Sequence, residues 1–440
     1  MPENSTVGKE ENLHMEALRE AVMHHGKTVA YNIGQYLRWL FLGAVTGLVV
    51  GLVAAAFSHC LTLATAFRTS HRFLFLLLPV GGLVIVFFYK TFHYENNHGT
   101  DSIIESIHTK VAIPLRMAGL IFVSTVITIL FGGSVGRESA ALQMGASLGT
   151  SVGNLFRLNE KDKKIILMSG MAAAFSALFG TPMTASFFAM EVSSVGIMYY
   201  AALVPCICAA LIARQTALFL GVETDVFRAP NSIELSLLSG LKVVFLAACC
   251  AAVSILFCLM LQLMHMLMAR FFKNLYLRVV AGGFLIILLT LLVRSQDYLG
   301  TGMDIIEQAL AGSTLPWAFA LKILFTAITI AAGYKGGEIV PSLFIGATFG
   351  CFLGPLIGLP ASLGAAVGMV ALFCGVTNCP VASLLISFEL FGFSDAYYFL
   401  IAIATSYMLS GYFSLYHTQR ITYSKFENRF VDRPTSSWFT

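Results

Sequence analysis

The sequence predicts an all-α, polytopic membrane protein built from two related halves. Of its 440 residues 57% are apolar and 11% charged, with a mean hydropathy of +0.80, whereas a soluble domain carries about a quarter charged residues. Apolar stretches at 39–66, 72–89, 115–131, 165–192, 196–220, 239–268, 279–293, 316–332, 340–358, 363–376 and 380–415 fill most of the chain. Matched patterns of Gly, Pro and Glu recur at nearly one offset between its halves. The hydropathy excludes soluble, collagenous, disordered and secreted classes, and a dispersed net charge of +4 (27 basic, 23 acidic residues) excludes a nucleic-acid binder.

The first 37 residues are polar and mixed in charge, and no signal-peptidase site trails the apolar run that begins at Arg38. They read as a retained cytoplasmic tail. Residues 38–416 form the transmembrane region, with ten or more spans, some too short or too long for one perpendicular helix. Tilted, broken or re-entrant helices are expected, and 165–195 is either one tilted helix or two half-helices joined inside the membrane. The connection 157–164 (Arg157, Lys161, Lys163, Lys164) and the segment after His417 (Arg420, Lys425, Arg429, Arg433) are the basic clusters, which favours the cytoplasmic side for both. Residues 417–440 read as a second cytoplasmic tail, too short for a regulatory domain. The expected location is the cell membrane, multi-pass, with both termini inside.

The duplication is read from two blocks. Gly170-Met171 is followed by Pro182 and Glu191, and Gly368-Met369 by Pro380 and Glu389, at an offset of 198; Gly136, Gly145 and Gly149 match Gly337, Gly346 and Gly350 at an offset of 201. The first repeat runs from about 38 to 220 and the second from about 239 to 416. Half-length repeats whose matched elements are interrupted by Gly and Pro point to a transporter with its substrate near the midplane. The alternative is the ordinary Gly and Ala richness of membrane helices.

Two segments carry candidate chemistry. In Gly132-Gly133-Ser134-Val135-Gly136-Arg137-Glu138-Ser139-Ala140 an arginine and a glutamate stand between an apolar run and a Gly/Ala-rich helix, and ionisable groups at membrane depth usually face a watery path or a partner. Glycines at a helix start expose backbone N–H groups to an anion. A carboxylate in that place competes for those donors and steps aside when protonated, so Glu138 is the candidate gate and proton carrier, unless Arg137 and Glu138 simply pair. The matching segment is Gly333-Tyr334-Lys335-Gly336-Gly337-Glu338-Ile339-Val340-Pro341-Ser342, with Pro341 acceptable in a first helical turn. Glu338 either complements that helix dipole or relays protons.

GRESA at 136–140, GGEIVP at 336–341, the Pro182 and Pro380 helices and Tyr416 at the end of the last apolar run together resemble the CLC family of anion channels and proton-coupled anion exchangers. The resemblance spans roughly 38–416. It implies two inverted repeats of tilted, broken helices, a homodimer with one pore per subunit, and no cofactor beyond the transported halide and protons. It makes Glu138 the external gate, assigns the anion-holding backbone amides to Glu338, Ile339 and Val340, and places the Tyr416 hydroxyl on the inner side of the path. The anion-binding set is then Gly136, Arg137, Glu138, Gly337, Ile339, Val340 and Tyr416, with Glu138 and Glu338 as gating and proton residues.

The sequence departs from the family pattern in places. Gly99-Thr100-Asp101-Ser102-Ile103-Ile104-Glu105 replaces G-S-G-I-P, so Thr100 or Ser102 stands in for the anion-contacting serine, although Ser102 to Glu105 also reads as an S-x-x-E capping box. G-R-E-G-P has become G-R-E-S-A, and the inner proton glutamate falls on Val192. Glu191 and Glu389 then read as structural acceptors. These departures are similar to those of the bacterial fluoride/proton exchangers, which carry G-G-E in the second motif but threonine where Val340 stands. The expected function is CLC-type halide transport, with chloride/proton antiport ahead by a narrow margin of fluoride/proton antiport and of a passive chloride channel.

Other classes fit less well. Gly145-Ala146-Ser147-Leu148-Gly149 matches the weak hydrolase pattern G-x-S-x-G, but small-x-x-x-small helix packing explains its glycines, and no enzyme is expected. His93, His98 and His108 read as one polar loop rather than a metal-binding cluster. The nine cysteines lack C-x-x-C spacing and read as small buried hydrophobes.

Overall fold

The computed structural model describes residues 4–95, 99–109, 113–223, 227, 233–234 and 236–435, with side chains from residue 28 onward. Among the described residues each half contributes eight α-helices. The first holds α1 (Asn4–Ser70), α2 (Leu78–Thr91), α3 (Thr100–His108), α4 (Arg116–Leu130), α5 (Glu138–Leu155), α6 (Glu160–Phe179), α7 (Pro182–Glu191) and α8 (Leu203–Phe219). The second holds α9 (Leu237–Phe271), α10 (Leu275–Val293), α11 (Met303–Leu310), α12 (Ala318–Ala332), α13 (Ile339–Leu356), α14 (Ala361–Thr377), α15 (Pro380–Phe391) and α16 (Ala396–Leu409). The halves pack alike: α5 against α6 as α13 against α14, α1 against α8 as α9 against α16, α4 against α5 as α12 against α13.

Helix lengths run from 8 residues in α11 through 35 in α9 to 67 in α1, against the roughly 20 that a simple span requires. Among the described residues six helices are long and apolar enough to cross a membrane. α7 and α15, among the shorter ones, start against carboxylates inside the protein, where irregular backbone is tolerated because neighbouring helices cover it.

Residues 165–195 are two helices, not one. α6 stops at Gly180 in the left-handed conformation (φ 74°), and Pro182 opens α7. The second half repeats the break at Asn378 (φ 58°), with Pro380 opening α15. A missing proline N–H is harmless in a first turn.

The glycine repeat is a packing device. A Cβ on Gly145 would collide with the carbonyl oxygen of Gly170, and one on Gly346 with that of Gly368, so α5 and α6 approach backbone to backbone, as do α13 and α14. The G-x-S-x-G pattern belongs to this seam, and the Ser147 hydroxyl donates to the Pro114 carbonyl at 2.7 Å.

The halves are inverted relative to each other. α7 and α15 lie side by side with the C-terminus of each against the N-terminus of the other, and an isolated antiparallel bridge joins Gly136 to Gly337.

Beyond Tyr416 the chain folds back onto both halves. Strands β2 (Arg420–Tyr423) and β3 (Phe430–Pro434) pair antiparallel, and β2 lies parallel to β1 (Ser194–Val195) just after α7. Gln419 Nε2 donates to the carbonyls of Val192 (2.9 Å) and Thr377 (2.8 Å), and the Lys425 ammonium donates to Asn378 Oδ1 and to the Tyr407 carbonyl (2.9 Å). This small sheet adds to the all-α membrane region. Six of the nine cysteines are buried and all nine are free.

Candidate functional site

The site grows from the Gly136–Gly337 bridge. Gly136 N–H donates to the Gly337 carbonyl (2.6 Å) and Gly337 N–H to the Gly136 carbonyl (2.8 Å), so the starts of α5 and α13 face each other across the interface of the halves. Both helices open alike, with Arg137 at φ −107°, ψ −10° and Glu338 at φ −100°, ψ −13° as N-cap residues. Each therefore presents unpaired N–H groups and the positive end of its dipole to one small space.

Glu138 fills that space. Its side chain is fully buried; Oε2 accepts from the Val340 N–H of the opposite half (3.1 Å) and Oε1 from the Arg137 N–H (3.0 Å). A Cβ on either Gly136 or Gly337 would run into Oε2, so both glycines are required for the carboxylate to lie where it does. Arg137 meets Glu138 through its backbone N–H, while the Arg137 guanidinium stands 5.7 Å from the centroid of the Phe179 ring.

Glu338 makes the reverse crossing. Its Oε2 accepts from the Ser139 hydroxyl at 2.8 Å. Ser139 and Val340 occupy the same position in the two first turns, at the 201 offset, so each glutamate reaches across the bridge to the second residue of the other helix. Glu138, Asp101 and Lys335 each lie within Coulombic range of Glu338. Ile339 is fully buried behind this pair.

The remaining candidates converge from α3 and the end of the membrane region. Thr418 donates to Asp101 Oδ1 from its backbone N–H (3.1 Å) and its hydroxyl (3.0 Å), which holds the 416–418 segment against the start of α3. The hydroxyls of Tyr416 and Thr100 are both buried and without a hydrogen-bond partner among the described residues, the condition expected of groups that wait for a ligand. Of Thr100 and Ser102, Thr100 is the one whose buried hydroxyl is left unpaired among the described residues. Ser102 lies inside the helix, and the capping-box reading does not hold: the N-cap is Gly99, three residues upstream, and Glu105 is exposed. His108 ends α3 rather than lying in a polar loop, and its Nε2 meets the Ser193 carbonyl at 3.0 Å; His98 lies outside the described residues.

Sequence reasoning missed three side chains near the gate: Ser139, and the buried cations Lys322 and Arg68. It also missed a third repeated block. Gly99-Thr100-Asp101-Ser102-Ile103-Ile104-Glu105 is echoed by Gly300-Thr301-Gly302-Met303-Asp304-Ile305-Ile306-Glu307 with one inserted residue, and α3 and α11 start within them.

Comparison with known proteins agrees with this architecture. Residues 81–411 match the family described as voltage gated chloride channel. A chloride/fluoride channel protein of Pseudomonas syringae pv. tomato is 35% identical over 395 residues, 88% of this chain and 87% of that protein. A solved CLC-type fluoride/proton antiporter superposes with a TM-score of 0.84 at 34% identity, covering 87% of this chain and 98% of that one. A slow cyanobacterial Cl-/H+ antiporter shares the fold, with a TM-score of 0.75 at 17% identity over 85% and 94% of the two chains. With the duplicated inverted halves, the crossed helix starts and these matches in hand, the chain belongs to the CLC family of voltage-gated chloride channels and related anion transporters.

Proposed function

We propose that the protein is a halide/proton antiporter that favours fluoride, with Glu138 as its gate. The observation that carries this reading is the Glu138 carboxylate seated on the Val340 N–H at the start of α13. Ionised, the carboxylate accepts from two backbone donors and occupies the place an anion needs. Protonated, it loses the negative charge that makes those hydrogen bonds strong. The side chain leaves, and the vacated amides and helix dipole receive a halide. Exchange follows because proton and halide take turns at one set of donors.

Fluoride moves ahead of chloride, the narrow favourite of the sequence, on two supports. The G-G-E of the second motif stands here as Gly336-Gly337-Glu338, and the relatives at 34–35% identity carry fluoride in their descriptions. Thr100 and Tyr416 offer hydroxyl donors on the inner side of the path.

Both termini are read as cytoplasmic. Arg38 pairs with Asp162 at 2.6 Å, which puts the start of the apolar part of α1 beside the basic 157–164 connection, and His108 lies within Coulombic range of both Lys164 and Arg420. Basic residues gathered on one face follow the positive-inside pattern. The working unit is read as a homodimer in the cell membrane, which cross-linking in native membranes tests.

Purified protein in liposomes, given outward fluoride and chloride gradients in parallel, tests the function. Fluoride efflux that drives proton uptake is expected. Chloride-driven proton movement with little fluoride flux would return the protein to the chloride reading, and anion flux without proton movement would make it a channel.

A further inference from the structure

Two buried cations stand near the gate, neither of them in a salt bridge among the described residues. Lys322 on α12 is fully buried, its Nζ donating to the carbonyls of Gly300 (2.8 Å) and Tyr298 (3.3 Å) and standing 5.1 Å from the centroid of the Phe344 ring. Arg68, in the last turn of α1, is 9% exposed, and its Nε has no hydrogen-bond partner among the described residues. The acids nearest in the electrostatic sense are the exposed Asp304 for Arg68 and the gate Glu138 for Lys322.

Both cations reach one loop. A Cβ on Gly300 would stand 3.0 Å from Arg68 Nη2, and one on Gly302 would stand 3.4 Å from Lys322 Nζ. Gly302 is the N-cap of the eight-residue α11, so the positive end of that helix adds to the same place. The loop is tied to the gate segment: Gly300 N–H donates to the Gly133 carbonyl at 3.1 Å. Thr326 and Thr329, one and two turns along α12 from Lys322, bond Ser134 Oγ (3.1 Å) and Ser134 N–H (3.2 Å).

Carbonyl oxygens solvate an ammonium but leave its charge uncancelled, and charge buried at membrane depth is costly without a counter-ion. The missing counter-ion is an anion small enough to sit among buried groups. We infer that Arg68, Lys322 and the start of α11 form a halide-binding site on the approach to the gate, a waiting position from which the anion passes to the Val340 amide when Glu138 withdraws. This rests on the reading of the chain as an anion transporter and adds a second site to it.

The test uses the full chain in liposomes, with the half-saturating concentrations of fluoride and chloride measured separately from each face alongside the proton-to-anion ratio. Arg68→Gln is expected to raise the half-saturating concentration at one face only, by about five- to tenfold, the size of one lost charge attraction at about 4 Å across a water-filled approach, with the ratio unaltered. Lys322→Met is expected to do the same and Lys322→Arg to keep wild-type affinity. Wild-type half-saturation at both faces in Arg68→Gln overturns the site, and so does an equal rise at both faces, which marks general damage. Should Lys322→Met not fold, Arg68→Gln carries the test alone. Wild-type protein that moves neither halide overturns the transport reading instead, and halide binding by titration calorimetry to wild type against Arg68→Gln still decides the site.

Discussion

Glu191 and Glu389 each cap the helix that the other terminates. Glu191, the last residue of α7, accepts from the N–H groups of Val381 (3.1 Å) and Ala382 (2.9 Å) at the start of α15, and Glu389 on α15 accepts from those of Met183 (2.9 Å) and Thr184 (2.8 Å) at the start of α7. These carboxylates satisfy donors that a buried helix start leaves open, which matches the structural role read from the sequence. Glu191→Ala is expected to cost about 1–3 kcal/mol for the orphaned donors, read as a lower thermal midpoint in detergent. Unaltered midpoints with lost proton coupling would make Glu191 part of the transport path.

Glu138→Gln should keep anion flux and lose proton coupling. An amide puts an NH2 donor where one carboxylate oxygen stood, so it cannot accept the Val340 and Arg137 N–H groups on separate oxygens as the carboxylate does, and it does not titrate. Wild-type flux should rise as pH falls on the gate side, because protonation frees the side chain, and the variant should lose that dependence. Proton coupling that survives in Glu138→Gln, measured by internal pH, assigns the gate elsewhere.

Ser139 supplies to Glu338 the hydroxyl that Val340 lacks. Ser139→Ala should slow exchange by about tenfold, in proportion to one lost hydrogen bond to a charged group. Ser139→Thr should retain the rate, and adding Val340→Thr to Ser139→Ala should recover part of the loss. Flux assays across the four proteins give the answer, and equal rates in all of them would leave Glu338 independent of Ser139.

Tyr416→Phe removes a buried hydroxyl that has no hydrogen-bond partner among the described residues, so stability should change by less than about 0.5 kcal/mol while the fluoride-to-chloride flux ratio shifts. A lower midpoint with an unshifted ratio would show a structural hydroxyl.

Ser147→Ala should leave transport intact and cost about 1 kcal/mol through the stranded Pro114 carbonyl. Gly145→Val should prevent folded expression, since the new side chain meets the Gly170 backbone.

Much of this was legible in the sequence because repetition and backbone chemistry leave marks. Gly145, Gly170, Gly346 and Gly368 recur because no Cβ fits there, and Pro182 and Pro380 recur because each opens a helix after a break. Glu138 was legible as a carboxylate out of place. Thr100 against Ser102 was not, since the choice turns on where α3 begins, and a left-handed Gly99 is invisible in a local S-x-x-E pattern. The Ser139–Glu338 pair was hidden because it links residues 199 apart in sequence, and Lys322 because one cation in an apolar helix carries no spacing. The block at Gly300 to Glu307 was findable by sliding the chain against itself by 201 or 202 positions, but its inserted residue breaks the register.

The paired hydrogen bonds between Gly136 and Gly337 act as a rivet through the pivot of the molecule. A rocking-bundle carrier exposes its cargo by swinging one bundle away from another, and such a swing would here shear both bonds on every cycle. A scaffold pinned at its centre suits the proposed exchange, in which turnover is left to a side chain's rotation and a proton's arrival rather than to the movement of a domain.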